Sequence, residues 1–145
     1  MAAEGATERP SVAGVLETAL YVDDLVKASA FYDRLFGFPK LFADARLIAY
    51  DVAGRSVLLL FAVGASATEQ RLPGGLIPAH DGQGGAHMAF AVGAAALPGW
   101  ERLLADLDVA VEGRVSWPRG GESVYFRDPD GNLLEIATPG LWATY

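Results

Sequence analysis

The sequence predicts an α+β domain assembled from two copies of one βαβββ unit, and two observations carry that prediction. The first is a repeat. Gly14-Val-Leu-Glu17-Thr-Ala-Leu-Tyr-Val22 and Gly84-Gly-Ala-His87-Met-Ala-Phe-Ala-Val92 each place a glycine three residues before a side chain able to bind metal. Each then continues as a run that alternates like a half-buried strand. His87 lies 70 residues after Glu17, close to half of the 145-residue chain. One repeat at that period means two copies of a supersecondary unit, since solenoid periods are shorter. The second observation is that each copy leads into the same succession, a helical pattern and then three short strand-like runs.

The first strand should cover about residues 15–22, with Glu17, Ala19 and Tyr21 on one face and Leu16, Thr18, Leu20 and Val22 on the other. Asp23-Asp24 caps a helix that runs to about Phe36 and buries a stripe of Leu25, Ala28, Tyr32 and Leu35. Gly37 stops it, because glycine enters the left-handed cap conformation without steric penalty. Strands over about 40–44, 46–52 and 56–63 complete the unit. Residues 64–84, rich in Gly, Pro and Ala, read as a linker, long enough to expect a functional or inter-module role. The second unit repeats the order. A strand covers 86–92, and a helix around 97–107 has Pro98 near its start. Strands near 109–115, 122–127 and 132–137 come next, the last two joined by the turn Asp128-Pro-Asp-Gly-Asn132.

The domain therefore spans residues 13–145, with module one at about 13–63, the linker at 64–84 and module two at about 85–139. Residues 1–12 read as a flexible leader, and the tail 140–145, with Leu141, Trp142 and Tyr145, is apolar enough to dock. With 18 acidic and 11 basic residues the net charge is −7, which argues against nucleic acid, whose phosphates need clustered cations. The absence of cysteine excludes disulfides, thiolate ligands and thiol nucleophiles. No apolar run approaches the ~20 residues of a membrane span, and the first residues lack a secretory pattern. A cytoplasmic protein acting on a small molecule is the class that remains.

The candidate site comes from strand parity. Glu17 and His87 hold the same place in the two copies. In the last strand Leu134 and Ile136 match the helix-packing residues, so Glu135 points to the opposite, concave side, as Glu17 and His87 do. Aligning Ser56-Val-Leu-Leu59 with Asn132-Leu-Leu-Glu135 puts Leu59 at the place of Glu135. One imidazole and two carboxylates suit a divalent ion of the Mn, Fe, Co, Ni or Zn group, leaving its identity open. Glu17 and Glu135 are also the candidate catalytic carboxylates. Tyr21, Leu59, Phe61 and Tyr125 share the parity of a cavity wall. Trp117 and Arg119 lie in the loop Trp117-Pro-Arg-Gly-Gly-Glu122, which reads equally as a hairpin connection stabilised by its glycines or as a lid in which Arg119 pairs an anion. His80 reads as a surface histidine that could reach the cavity mouth, and Arg127 as a partner for Asp128 or Asp130.

These segments resemble the vicinal oxygen chelate superfamily, which includes glyoxalase I, extradiol dioxygenases, methylmalonyl-CoA epimerase, fosfomycin-resistance thiol transferases and bleomycin-binding proteins. The resemblance rests on Glu17-Thr-Ala-Leu-Tyr-Val-Asp-Asp-Leu25, Ala30-Phe-Tyr-Asp-Arg-Leu-Phe-Gly37 and His87-Met-Ala-Phe-Ala-Val92. Its most distinctive piece is Tyr125-Phe-Arg-Asp-Pro-Asp-Gly-Asn-Leu-Leu-Glu135. It implies an incompletely closed, glyoxalase-like barrel of eight strands around a metal, in a homodimer, with Glu17, His87 and Glu135 on ligand positions. The extradiol and fosfomycin enzymes usually have histidine in place of Glu17, and glyoxalase I and the epimerase usually have a ligand or carboxylate base in place of Leu59. The expectation is a metal-dependent lyase or isomerase, before a dioxygenase, acting on a small oxygenated substrate chelated to the metal. The alternative is a metal-free, drug-sequestering protein of the bleomycin-resistance type.

Overall fold

The computed structural model describes residues 9–145. The expected leader falls mostly on residues 1–8, outside the described residues; residues 9–16 are exposed and have no regular structure. Module one contains β1 (Glu17–Val22), α1 (Leu25–Leu35), β2 (Lys40–Ala43), β3 (Leu47–Val52) and β4 (Ser56–Ala62). Residues 64–84 are more than a linker, because β5 (Gln70–Leu72) and β6 (Gly75–Ile77) pair there as a small hairpin. Module two contains β7 (His87–Ala91), α2 (Leu97–Asp106), β8 (Val111–Ser116), β9 (Glu122–Arg127) and β10 (Leu133–Ala137). The boundaries of α1 are set by its caps. Asp24 accepts a hydrogen bond from the Lys27 amide at 3.1 Å, and Gly37, at φ 64°, donates back to the Tyr32 carbonyl.

The two modules share one strand order, β1-β4-β3-β2 and β7-β10-β9-β8, in separate four-stranded sheets that do not close into a barrel within the chain. In each, the first strand runs parallel to the last, and the helix carries the chain from the first strand across to the second at the opposite edge of the sheet. Ala19 lies opposite Leu59, and Ala89 lies opposite Glu135. Leu59 and Glu135 are therefore equivalent in register, as the sequence alignment expects. Among the described residues, the outer edges of β1 and β7 are unpaired within their sheets.

Both helices pack on the convex faces and form one core. Leu20, Val22, Leu58 and Leu60 from module one join Leu104, Phe126, Leu134 and Ile136 from module two, each nearly or fully buried. Burial of each such side chain contributes roughly 1.5–3 kcal/mol. Phe36 crosses the boundary, 4.5 Å from the Phe90 ring and 5.6 Å from Trp100.

The Asp128–Asn132 loop bolts the modules together. Buried Asp128 accepts the Tyr32 hydroxyl at 2.8 Å, the Asp130 and Asn132 amides, and the Asn132 side chain. Burial, then the charge of Asp128, pushes the Tyr32 phenol well above its usual range. Asp130 accepts the Asp23 amide at 2.8 Å, and Asn132 accepts the Ala86 amide at 3.1 Å. A Cβ on Gly84 would collide with the Asp130 carbonyl, so this close crossing requires glycine. Because Asp128 turns inward, Arg127 pairs instead with Glu112 and the Gly131 carbonyl, correcting the expected partner. The tail docks only in part. The Tyr145 hydroxyl sits between the carbonyls of Val92 and Ala137, but Trp142 remains 70% exposed.

Candidate metal centre

In module two the parallel pairing of β7 and β10 puts Leu133 opposite His87 and Glu135 one pleat further along. His87 Nδ1 lies 2.8 Å from the Leu133 carbonyl oxygen. A carbonyl only accepts, so Nδ1 carries the proton and donates. In the neutral ring Nε2 then keeps its lone pair, 3.2 Å from Glu135 Oε1, whereas a protonated ring would form an ion pair with that carboxylate. A neutral imidazole and a carboxylate thus present two acceptors to each other, an arrangement that needs a cation or a proton to be favourable. His87 is half-exposed, whereas the Glu135 side chain is 5% exposed. The other carboxylate oxygen accepts from Ser123 Oγ at 2.5 Å, and Trp117 Nε1 donates to Ser123 Oγ at 2.8 Å. Trp117 thereby directs the hydroxyl proton of Ser123 toward Glu135. The Tyr125 ring stacks near His87 at 6.2 Å, and burial, then the charge of Glu135, raises its phenol above the ordinary value. The donor set, a tautomer-fixed imidazole beside a braced carboxylate, is the kind that a borderline divalent ion prefers.

In module one Glu17 is exposed and lines a cavity of about 370 Å³ with Leu59, Phe61, Arg46 and His80. Ile77 and Pro78, at the end of the β5–β6 hairpin, form part of its wall. Tyr21 stacks on Phe61 at 5.9 Å, and its hydroxyl lies 2.6 Å from His80 Nδ1. His80 is therefore tied to the pocket and is not the free surface side chain that its linker position suggests. Among the described residues, no three His, Asp or Glu side chains gather closely enough to hold one ion. The fold brings His87 and Glu135 together and leaves Glu17 on the other module.

The expected substrate-binding residues divide in the same way. Tyr21, Leu59 and Phe61 belong to the module-one face, and Trp117 and Tyr125 to the module-two face. Arg119 is exposed in the tight β8–β9 turn, where Gly120 and Gly121 bond back to Trp117. Sequence reasoning missed Ser123 and the tie between Tyr21 and His80. The one signal for Ser123 was its parity with Tyr125, two residues on in the same strand.

Known proteins share this fold. The crystal structure of lactoylglutathione lyase from Agrobacterium tumefaciens is 34% identical, with a TM-score of 0.83 over 92% of this chain and 99% of that one. FosX, a fosfomycin resistance protein from Listeria monocytogenes, shares the fold at 20% identity and a TM-score of 0.66, over 88% of this chain and 94% of its own. Metallothiol transferase FosB of Bacillus licheniformis is 30% identical over 136 residues, covering 93% of this chain and 81% of that protein. The model of the Glyoxalase/Bleomycin resistance protein/Dioxygenase superfamily matches residues 14–136, spanning both modules, the His87–Glu135 pair and Glu17, and the chain belongs to that superfamily.

Proposed function

We propose that the protein is a divalent-metal-dependent enzyme, a lyase or isomerase, acting on a small substrate through its oxygen atoms. The observation that carries this reading is His87 Nε2 facing Glu135 Oε1 at 3.2 Å while Nδ1 is committed to a carbonyl. His87 and Glu135 would be two ligands, and Glu17 the third. Since Glu17 lies on the other module, it would come from a second copy in a homodimer, which the unpaired edges of β1 and β7 favour. An ion of the Mn, Fe, Co, Ni or Zn group supplies, when bound, stabilisation of negative charge on a substrate oxygen.

The chain's own residues then divide the work. Ser123 and Trp117 hold Glu135 in one orientation, which suits a fixed ligand and not a moving base. Exposed Glu17 is the carboxylate with freedom to accept a proton from the substrate. Leu59, at the place equivalent to Glu135, offers no ligand atom and leaves room for substrate oxygen.

The test is metal titration of chelator-treated protein, read by melting temperature. Saturation at 100 times Kd should add about 2.7 kcal/mol of stability, and His87→Ala should abolish the response. An equal shift in His87→Ala, or none in the parent, would overturn the metal site; a plain His87–Glu135 ion pair gives the second result. Mixing Glu17→Ala with His87→Ala protomers should restore one intact site per mixed dimer, which a site within one chain would not do.

A further inference from the structure

The geometry points to His80 as a substrate-contacting hydrogen-bond donor in the module-one cavity, with Tyr21 as the residue that sets its tautomer. This deepens the enzyme reading by naming what the far end of the cavity recognises, an oxygen acceptor on an otherwise apolar substrate body.

His80 is held more firmly than a loop side chain needs to be. Its amide donates to the Ser66 carbonyl at 2.9 Å, and its own carbonyl accepts the Ser66 hydroxyl at 2.6 Å. Its ring meets Phe61 edge-on at 4.7 Å and Tyr21 at 5.7 Å. Two residues on, a Cβ at Gly82 would collide with the Tyr21 ring, so the segment lies directly on that side chain. The neighbouring Asp81 secures the crossing by accepting the Gly64 amide at 3.1 Å. Such bracing fixes a side chain for use, because a site on a loop is accurate only when its surroundings hold it.

The 2.6 Å contact also sets the direction of the hydrogen bond. It is short for an N–H donor and ordinary for an O–H donor, and the phenol is the better donor of the two. Tyr21 therefore donates into Nδ1, and the neutral ring carries its proton on Nε2. Among the described residues Nε2 has no hydrogen-bond partner, and no buried side-chain polar atom is left unpaired, so Nε2–H is open to solvent or ligand. His80 lines the same cavity as Glu17. On the β1–β4 side the wall is Ala19, Leu59 and Phe61, with Arg46, Thr68 and Gln70 elsewhere in the lining, so a substrate lying along that side is apolar where it touches the sheet. Glu17 and Arg46, of opposite sign, both line the cavity, so it has no net call for a charged group, and a neutral carbonyl or hydroxyl oxygen fits this donor.

The test uses chelator-treated full-length protein, so that it is independent of the metal reading, with acetophenone as the probe, an uncharged aromatic ketone. Imidazole nitrogen resonances should show the Nε2–H tautomer for His80 in the parent, and Tyr21→Phe, which keeps the stack on Phe61, should lose that preference. Acetophenone should shift the Nε2–H signal of His80, and ethylbenzene, lacking the oxygen, should not. His80→Phe should weaken acetophenone binding about tenfold, with His80→Leu, which also lacks a donor, as the second variant should the aromatic ring disturb folding. An Nδ1–H tautomer in the parent, a tautomer unchanged in Tyr21→Phe, equal binding by His80→Phe, or no binding of acetophenone would each overturn the proposal. None of these results bears on whether His87 and Glu135 hold a metal.

Discussion

The two modules share strand order and register, yet they treat their equivalent positions in opposite ways. In module two, Glu135 is buried, braced by Ser123 and Trp117, and placed against a histidine whose tautomer the backbone fixes. In module one, Glu17 is exposed at the wall of an open cavity, and Leu59 stands where Glu135 would be. The roofs differ too, since module one has the β5–β6 hairpin and the clamped His80. A duplicated scaffold has kept its backbone geometry and divided the chemistry. In the proposed enzyme one half would hold a group still, and the other would admit a substrate and touch it. Fold and function separate cleanly here, because register fixes where side chains project but not what they are.

The β-strand turns show the same asymmetry, and breaking them should give the largest effect. The β9–β10 loop carries Asp128, whose carboxylate satisfies four donors, including Tyr32 of the other module. The equivalent β3–β4 turn carries Asp51, only half-buried, accepting one amide from Gly54 at 2.7 Å. Asp128→Ala strands buried donors and should destabilise the protein by about 3 kcal/mol or more. Asp51→Ala should cost under about 1 kcal/mol, since water replaces the lost partner. Denaturant melts of the pair measure this directly. Equal losses would mean that the modules are not held by this loop.

A smaller effect should come from the bracing of Glu135. Ser123→Ala removes the hydroxyl that fixes Oε2 without touching either ligand atom, and should weaken metal binding roughly tenfold. Trp117→Phe, which keeps an aromatic ring and deletes the donor to Ser123, should weaken it less. Calorimetric titration with Mn, Ni or Zn provides the readout. Unchanged affinity in Ser123→Ala would show that the brace is structural only.

Much of the contrast between the modules was legible before the structure. The repeat Glu17/His87 and the parity of Glu135 located the three candidate ligands, because alternation in a strand is a local property. The caps at Asp24 and Gly37 are equally local. What the sequence concealed depends on pairs far apart in the chain. His80 meets Tyr21 across 59 residues, and Tyr32 meets Asp128 across 96. Neither residue carries a local pattern that announces its partner. The β5–β6 hairpin escaped because each strand has three residues, too few to display a period. The separation of Glu17 from His87 was hidden for another reason: equivalence in a repeat says that two residues occupy like positions, not that they meet.

Leu59→Glu makes the first module imitate the second, and it discriminates the metalloenzyme from a metal-free binder with the smallest expected change. Leu59 is half-buried on the cavity wall, diagonal to Glu17 across the β1–β4 pair. A carboxylate placed there remains in reach of water, so the cost is not that of a fully buried charge. What it meets is Glu17, a like charge one diagonal away, and their repulsion at about 7–8 Å should cost about 1 kcal/mol, or roughly 2–4 °C in Tm. If Glu17 contributes to a metal centre, the new carboxylate sits beside the same ion. Divalent metal should then reverse the loss and raise Tm above that of the metal-loaded parent, while turnover falls as the open position fills. A protein that only sequesters an uncharged or cationic molecule has no ion to neutralise the pair, and the loss should be the same with chelator as with metal. Two melting curves on the variant and two on the parent decide between them, and equal destabilisation in both conditions would remove Glu17 from the metal centre.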